Sequence, residues 1–365
     1  MSINTRPGLS FDINGTCSAC SQFEERKLID WNAREAQFRK LTEDAKTKST
    51  TYDCIIPVSG GKDSMWQVLK ALEYGLKPLA LTWKAPSRTS LGYENLANLI
   101  NLGVDHIDFT VNPKVESLLT YESFKRFGTS AIPMHMAIYS LPLTIALKLR
   151  IPLIIYGENS AIEYGDKTKC RDASNLTRQW LQHYGATNNT NAEFWENLGF
   201  SSEDLKPYKA PNFTELSASN IKPIFLGYFF SWDPLVSYRT SKQYGFKAMD
   251  NNTELGSYNH SDIDENFINI HHYMKILKFG SNRLMDNMSL EIRHGRISRS
   301  DAIDKITREG CVSPKNSIAS FCDYLKISLN DFNDIKESFR NSLIWSQVNN
   351  KWKIIDHPFA FEQEL

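Results

Sequence analysis

One stretch constrains this chain more than any other: Cys54-Ile55-Ile56-Pro57-Val58, then Ser59-Gly60-Gly61-Lys62-Asp63-Ser64. A short apolar run bounded by turn residues reads as a buried strand. Met65, Trp66, Val68, Leu69 and Leu72 follow at helical spacing, so a strand feeds a tight glycine turn that opens a helix. Glycines let the backbone turn sharply and approach a ligand closely. A helix start offers unpaired N–H groups and the positive end of the dipole to an anion. Lys62 adds a full charge, and Ser59 and Ser64 add hydroxyl donors. The stretch predicts a phosphate site. It lacks the four-residue spacing of a Walker A loop, and no dinucleotide fingerprint is present.

The same alternation continues downstream. Strand-like runs at 77–83, 106–111 and 152–156 are separated by helical patterns at about 93–102 and 134–149. That pattern predicts an α/β fold, a parallel sheet with helices on both faces. Ligands then sit beyond the carboxyl ends of the strands. Thr82 and Trp83 are placed near the nucleotide by that rule, with Gly157, Glu158 and Asn159 beside them. Glu158 reads equally as a substrate or magnesium contact and as an ordinary acid at a helix start. At 365 residues, one large domain with extensions is expected. Lys+Arg and Asp+Glu both number 42, so no global field draws the chain to nucleic acid or a membrane. No apolar run approaches the ~20 residues that cross a bilayer. Without a charged leader ahead of an apolar core, and with six scattered cysteines, the chain reads as cytoplasmic and reduced.

Three parts divide the chain: 1–50, a hairpin with Cys17-Ser18-Ala19-Cys20 and a helix over 24–46; 51–260, the phosphate-loop domain; and 261–365, a helical C-terminal region. Cys17 and Cys20 are half of a tetrahedral zinc set, or two structural thiols. Residues of about 160–222 read as a polar insertion, whose Lys167, Lys169 and Arg171 either meet an anionic substrate or form a solvated face. The aromatic run 225–233 reads as a buried strand. His271 to Gly280 reads as a helix ended by glycine, with Lys275 and Lys278 on one face.

The Ser59–Ser64 stretch resembles the PP-loop, S-G-G-x-D-S, of the ATP pyrophosphatase superfamily, with an adenine nucleotide alpha-hydrolase-like fold. Over nearly its whole length the chain resembles the N-acetyl sugar amidotransferase family of bacterial surface-polysaccharide biosynthesis. Thr5-Arg6-Pro7-Gly8, Cys17 to Cys20, Ile29-Asp30-Trp31, the PP-loop and Gly157-Glu158-Asn159 carry the likeness. So do Leu226-Gly227-Tyr228 with Trp232-Asp233, His272-Tyr273-Met274-Lys275 with Lys278-Phe279-Gly280, and Arg293 to Arg296. The family's additional C-x-x-C, ahead of Thr5, is not seen here, which leaves a zinc set incomplete. The resemblance implies an ATP- and Mg2+-dependent enzyme that converts an acetamido group of a nucleotide-linked sugar into an acetamidino group, for lipopolysaccharide O-antigen or a related glycan. It assigns ATP and pyrophosphate to Ser59, Gly60, Gly61, Lys62, Asp63 and Ser64. It assigns catalytic roles to Lys62, Asp63, Lys278 and Lys275. No glutaminase motif is present, since position 2 is Ser2 and Gly310-Cys311-Val312 does not continue as one; a separate glutaminase with a cyclase-like subunit would supply ammonia. Two rivals remain open. A PP-loop tRNA-modifying enzyme would need a basic strip. A non-catalytic nucleotide-binding scaffold would bind ATP without turnover.

Overall fold

The computed structural model describes residues 8–166, 174–309, 312–349 and 351–355; Lys167, Lys169 and Arg171 lie outside them. Five strands form one parallel sheet: β1 Cys54–Pro57, β2 Pro78–Trp83, β3 Asp105–Phe109, β4 Leu153–Tyr156 and β5 Lys222–Phe225, in the order β3-β2-β1-β4-β5. Strand β1 is central, with Cys54 opposite both Pro78 of β2 and Leu153 of β4. The chain winds outward one way to β3, then returns to the other side of β1, so the switch point lies between β1 and β4. That crevice is where such sheets bind ligands.

The period of two along a strand divides the core. Ile55, Leu79, Leu81, Ile154 and Tyr156 face one apolar layer, built with the helix Ile132–Leu149 and the 174–218 insertion. Cys54, Ile56, Ala80, Leu153 and Ile155 face the other, built with Phe38, Trp66, Leu96 and Phe229. A third cluster gathers around the helix Ile268–Phe279, where Phe321 and Phe332 pack on Phe124.

Several expectations are amended. The helix over 24–46 is two helices, Ser18–Arg26 and Trp31–Lys48, broken where Asp30 caps the second by accepting from Ala33 N at 3.0 Å. A helix over Pro113–Phe127 went unread; Asn112 caps it and Pro113 starts it. The aromatic strand 225–233 stops at Phe225, because Leu226–Phe229 turns helical and buries its aromatics from one turn. The C-terminal region is not wholly helical, since Trp345–Val348 and Lys351–Ile354 close it as an antiparallel hairpin. Finally, Ile132–Leu149 is 18 residues long and apolar enough to cross a bilayer by length and composition. It packs on β1, β2 and β4, which is what makes it apolar on most sides.

Candidate functional site

The phosphate loop begins where β1 ends. Gly60 takes φ +93°, and a Cβ there would lie 2.9 Å from Leu96 N, so only glycine fits. Gly61 then caps the helix Lys62–Glu73. The loop ties itself together: Gly61 N donates to Ser59 Oγ at 3.2 Å, and Ser64 Oγ donates to the Gly61 carbonyl at 2.9 Å. Lys62 is 5% exposed and pairs with Asp63 Oδ2. Its carbonyl accepts from Ser241 Oγ at 2.7 Å, which fixes the helix Pro234–Gln243 behind the loop. Asp63 Oδ1 and Gln67 Oε1 are buried with no partner. Buried oxygens without partners are costly unless a ligand meets them.

The loop opens onto a cleft of about 410 Å³. Ser59, Asp63, Ser64, Thr82, Trp83, Gly157 and Glu158 all line it, so most of the residues singled out from the sequence converge. Its floor and far wall are apolar, from Leu81, Ala137, Leu141, Tyr156 and Phe225. Thr82 Oγ1 is held by His106 Nε2 at 2.8 Å, and Trp83 Nε1 donates to Glu116 at 2.8 Å. Burial lifts that Glu116 carboxyl to about 8. Gly157 has no room for a side chain, since a Cβ would come within 2.8 Å of Gln67 Nε2.

A second arm of the site was not read from the sequence. Residues Asp262, Asp264 and Glu265 lie across the cleft from the loop. Ser59 lies close enough to Asp264 to favour its charged form, so the two arms approach each other. The arm is anchored on residues 87–89: Thr89 N donates to the Asp264 carbonyl at 3.0 Å, Thr89 Oγ1 to the Ile263 carbonyl at 2.6 Å, and Ser87 Oγ to Glu265 Oε2 at 2.7 Å. Arg283 grips Asp262 through Nε at 2.6 Å and Nη2 at 3.2 Å. Burial pushes the Asp262 carboxyl up, but Arg283 and His272 outweigh it and hold the group well below the usual range. Asp264, Glu265 and Glu158 go the other way. Burial raises Asp264, raises Glu265 to about 7, and raises Glu158 together with the neighbouring charge of Asp63. Five carboxyl groups, of Asp63, Glu158, Asp262, Asp264 and Glu265, therefore line one cleft. The signal that could have found the arm is Asp262-Ile263-Asp264-Glu265, an acid cluster with one apolar residue turned in.

Gly60, Gly61 and Lys62 sit behind the cleft lining, and Asn159, Lys275 and Lys278 do not line it either. Asn159 is 2% exposed and spends its Oδ1 on Ala161 N at 3.0 Å and Trp180 Nε1 at 2.8 Å, as a helix cap. Lys275 pairs with Asp286 at 2.5 Å. Lys278 donates to the Phe127 carbonyl at 2.9 Å, and burial lowers it to about 8. Neither lysine lines the cleft, and each has a partner on its own side of the helix Ile268–Phe279. Cys17 and Cys20 hold their Sγ atoms 3.3 Å apart, and the hydrogen bond between them brings Cys17 down to about 5. Among the described residues no group of three His, Cys, Asp or Glu is placed to hold a metal ion. Other stretches of the family likeness do meet: Asp233 pairs with Arg296, His294 lies 3.6 Å from it, and Phe23 packs edge-on against His294.

A parallel sheet with a glycine phosphate loop at its switch point defines a PP-loop α/β protein. Its C-terminal part narrows this further: residues 243–358 match the family described as LPS biosynthesis protein WbpG-like, C-terminal domain. Residues 243–358 are thus similar to that domain, and this part of the chain supplies Asp262, Asp264 and Glu265 to the cleft. None of the curated proteins matches the chain. Among solved structures, NMN synthetase from Francisella tularensis aligns at 15% identity and TM-score 0.29, over 62% of this chain and all of that one. NAD+ synthetase from Burkholderia pseudomallei aligns at 13% and 0.24, over 66% of this chain and 90% of that one. Overlaps that small carry no argument about this chain.

Proposed function

We propose that the protein is an ATP-dependent amidotransferase of surface-glycan biosynthesis that turns an acetamido group of a nucleotide-linked sugar into an acetamidino group. The observation that carries this is one cleft built from two sources, the phosphate loop and the acid arm of the WbpG-like domain. An amide carbonyl is a poor electrophile, and its oxygen a poor leaving group. In the first step that oxygen attacks the α-phosphorus of ATP, and the bond to the β-phosphate breaks to release pyrophosphate. In the second, ammonia attacks the activated carbon, the C–O bond breaks, AMP leaves, and a proton is shed.

The residues suit these demands. Lys62 and the N–H groups of Gly60 and Gly61, the latter released from Ser59 Oγ, stabilise the charge that collects on pyrophosphate, the kind of effect that carries much of catalysis. Ser59 and Ser64 orient phosphate oxygens. The apolar wall of Leu81, Tyr156 and Phe225 suits the adenine ring. Glu158 and Asp264, held at raised proton affinity beside the loop, are the bases for the proton that ammonia loses.

Magnesium also fits: the partnerless Asp63 Oδ1 and Glu158 are hard oxygen donors, and Mg2+ is commonly held by one or two carboxylates together with substrate phosphates. When bound, it would neutralise triphosphate charge in a cleft rich in carboxylates. Zinc is left out of this proposal. Ammonia would come from a separate glutaminase through a cyclase-like partner, and a cytoplasmic location suits a nucleotide-sugar substrate.

The test is pyrophosphate and AMP release from ATP, with Mg2+ and ammonium, across a panel of diacetamido sugar nucleotides. Release that depends on one sugar is the expected result. Release with none would overturn the reading, and release with tRNA in its place would replace it.

A further inference from the structure

The described structure has a larger cavity than the cleft, about 690 Å³, beneath the 174–218 insertion. Both spaces lie against the helix Ile132–Leu149, which is the wall between them. Met134, Ala137, Ile138 and Leu141 face the cleft, while His135, Met136 and Ser140 face the cavity. Tyr139, partly buried, borders both. Pro142 has no N–H to give the Ile138 carbonyl, so the wall lacks one helical hydrogen bond at the cleft.

We propose that this cavity binds the acceptor, a nucleoside-diphosphate-linked sugar, with the sugar end reaching the cleft past Tyr139. The inference rests on the reaction proposed above. That reaction needs two bulky substrates to meet at one phosphorus. A cleft of about 410 Å³ is the size that encloses one nucleotide-sized ligand. The second must therefore come from an adjoining space, and this cavity shares a wall residue with it.

The chemistry of the lining agrees. Asn191 and Asn212 spend their side-chain oxygens on helix caps, accepting from Phe194 N at 2.9 Å and Thr214 N at 3.0 Å. Each is left with an NH2 group to donate. Arg178 makes no ion pair among the described residues, and Lys209 is held only loosely, by ion pairs of 3.8 and 3.9 Å to Glu193, a carboxylate of the same lining, and Glu196. A wall rich in donors suits a ligand rich in acceptors, and phosphates and sugar hydroxyls are that. Met136, Leu181 and Phe213 offer apolar surface for a base or a sugar face.

The experiment is calorimetric titration of UDP-linked N-acetyl and diacetamido sugars into the intact protein without ATP, in parallel with ATP titration. Two variants are compared with the unaltered chain. Arg178→Ala with Lys209→Ala removes the cations, and Gln182→Trp fills the exposed side of the cavity. Each should weaken sugar-nucleotide binding about tenfold or more while ATP binding is unchanged. Unchanged sugar binding in both variants would overturn the inference, as would direct competition between sugar nucleotide and ATP. If sugar-dependent pyrophosphate release persists in those same variants at the original KM, only the cavity assignment falls. If no sugar nucleotide binds the unaltered chain, the reaction falls with it.

Discussion

The Ser59–Ser64 loop and the Asp262–Glu265 arm face each other across one cleft and are held there by different physics. The loop is local. Its conformation follows mainly from Gly60 at φ +93°, from hydrogen bonds within Ser59–Ser64, and from the helix it opens, with Ser241 the one distant tie described. The arm is held from a distance. Its anchors are Ser87, Thr89 and Arg283, and its approach to Ser59 spans some two hundred positions. One arm brings the cation and N–H donors, while the other brings carboxylates. The lesson is that a phosphate loop common to a superfamily becomes a particular site through what is laid across it.

Four measurements would break or sharpen that contrast. On the loop side, Lys62→Ala should lower the rate of pyrophosphate release about 100- to 1000-fold, as loss of a donor to developing charge does; a normal rate would remove the loop from the chemistry. Behind the arm, Lys275→Met should be a stability variant. It strips the buried Asp286 of a charge partner and should cost about 3 kcal/mol in denaturant unfolding. Its KM for ATP should stay put, and a rise would point to a direct role. Where the arms are welded, Gly92→Ala should lower stability by about 1–3 kcal/mol, since its Cβ would sit 2.5 Å from the Asp264 carbonyl. Ligand should recover part of that loss by drawing the arm back.

The smallest effect concerns Glu265, whose carboxyl burial raises to about 7 in the folded chain. The folded state holds this proton more tightly than the unfolded one. Its stabilising contribution is therefore full below the ordinary carboxylate range, about pH 4, and is lost as pH rises through 7. Glu265→Gln abolishes the titration. Thermal unfolding should show no difference near pH 4 and a variant more stable by about 1–2 kcal/mol at pH 8. Equal curves at both pH values would show that the arm is more open than described.

Legibility followed the same division. The strand, turn and helix from Cys54 to Leu72 were readable because neighbours in sequence are neighbours in space there. Thr82, Trp83, Gly157 and Glu158 were readable through the rule for strand ends. Asp262, Asp264 and Glu265 were not, because nothing near them in sequence shows what they face. For Lys275 and Lys278, helical spacing gives one face but does not say which neighbour takes that face. The cap made by Asn159 was not legible, because a cap and a ligand contact draw on the same residue type. The break at Asp30 was missed since charged residues run on through both helices.

Gly60 lies against Leu96 and Gly92, and Gly92 lies against Asp264, backbone on backbone with no side chain between. A chain emerging from the ribosome can complete its sheet once residue 225 is free, yet its cleft then has only one side. Until the segment through Glu265 emerges and threads into place, the loop could gather phosphate but would lack most of its acids. Assembly order alone would thus leave a partly made chain with half a cleft.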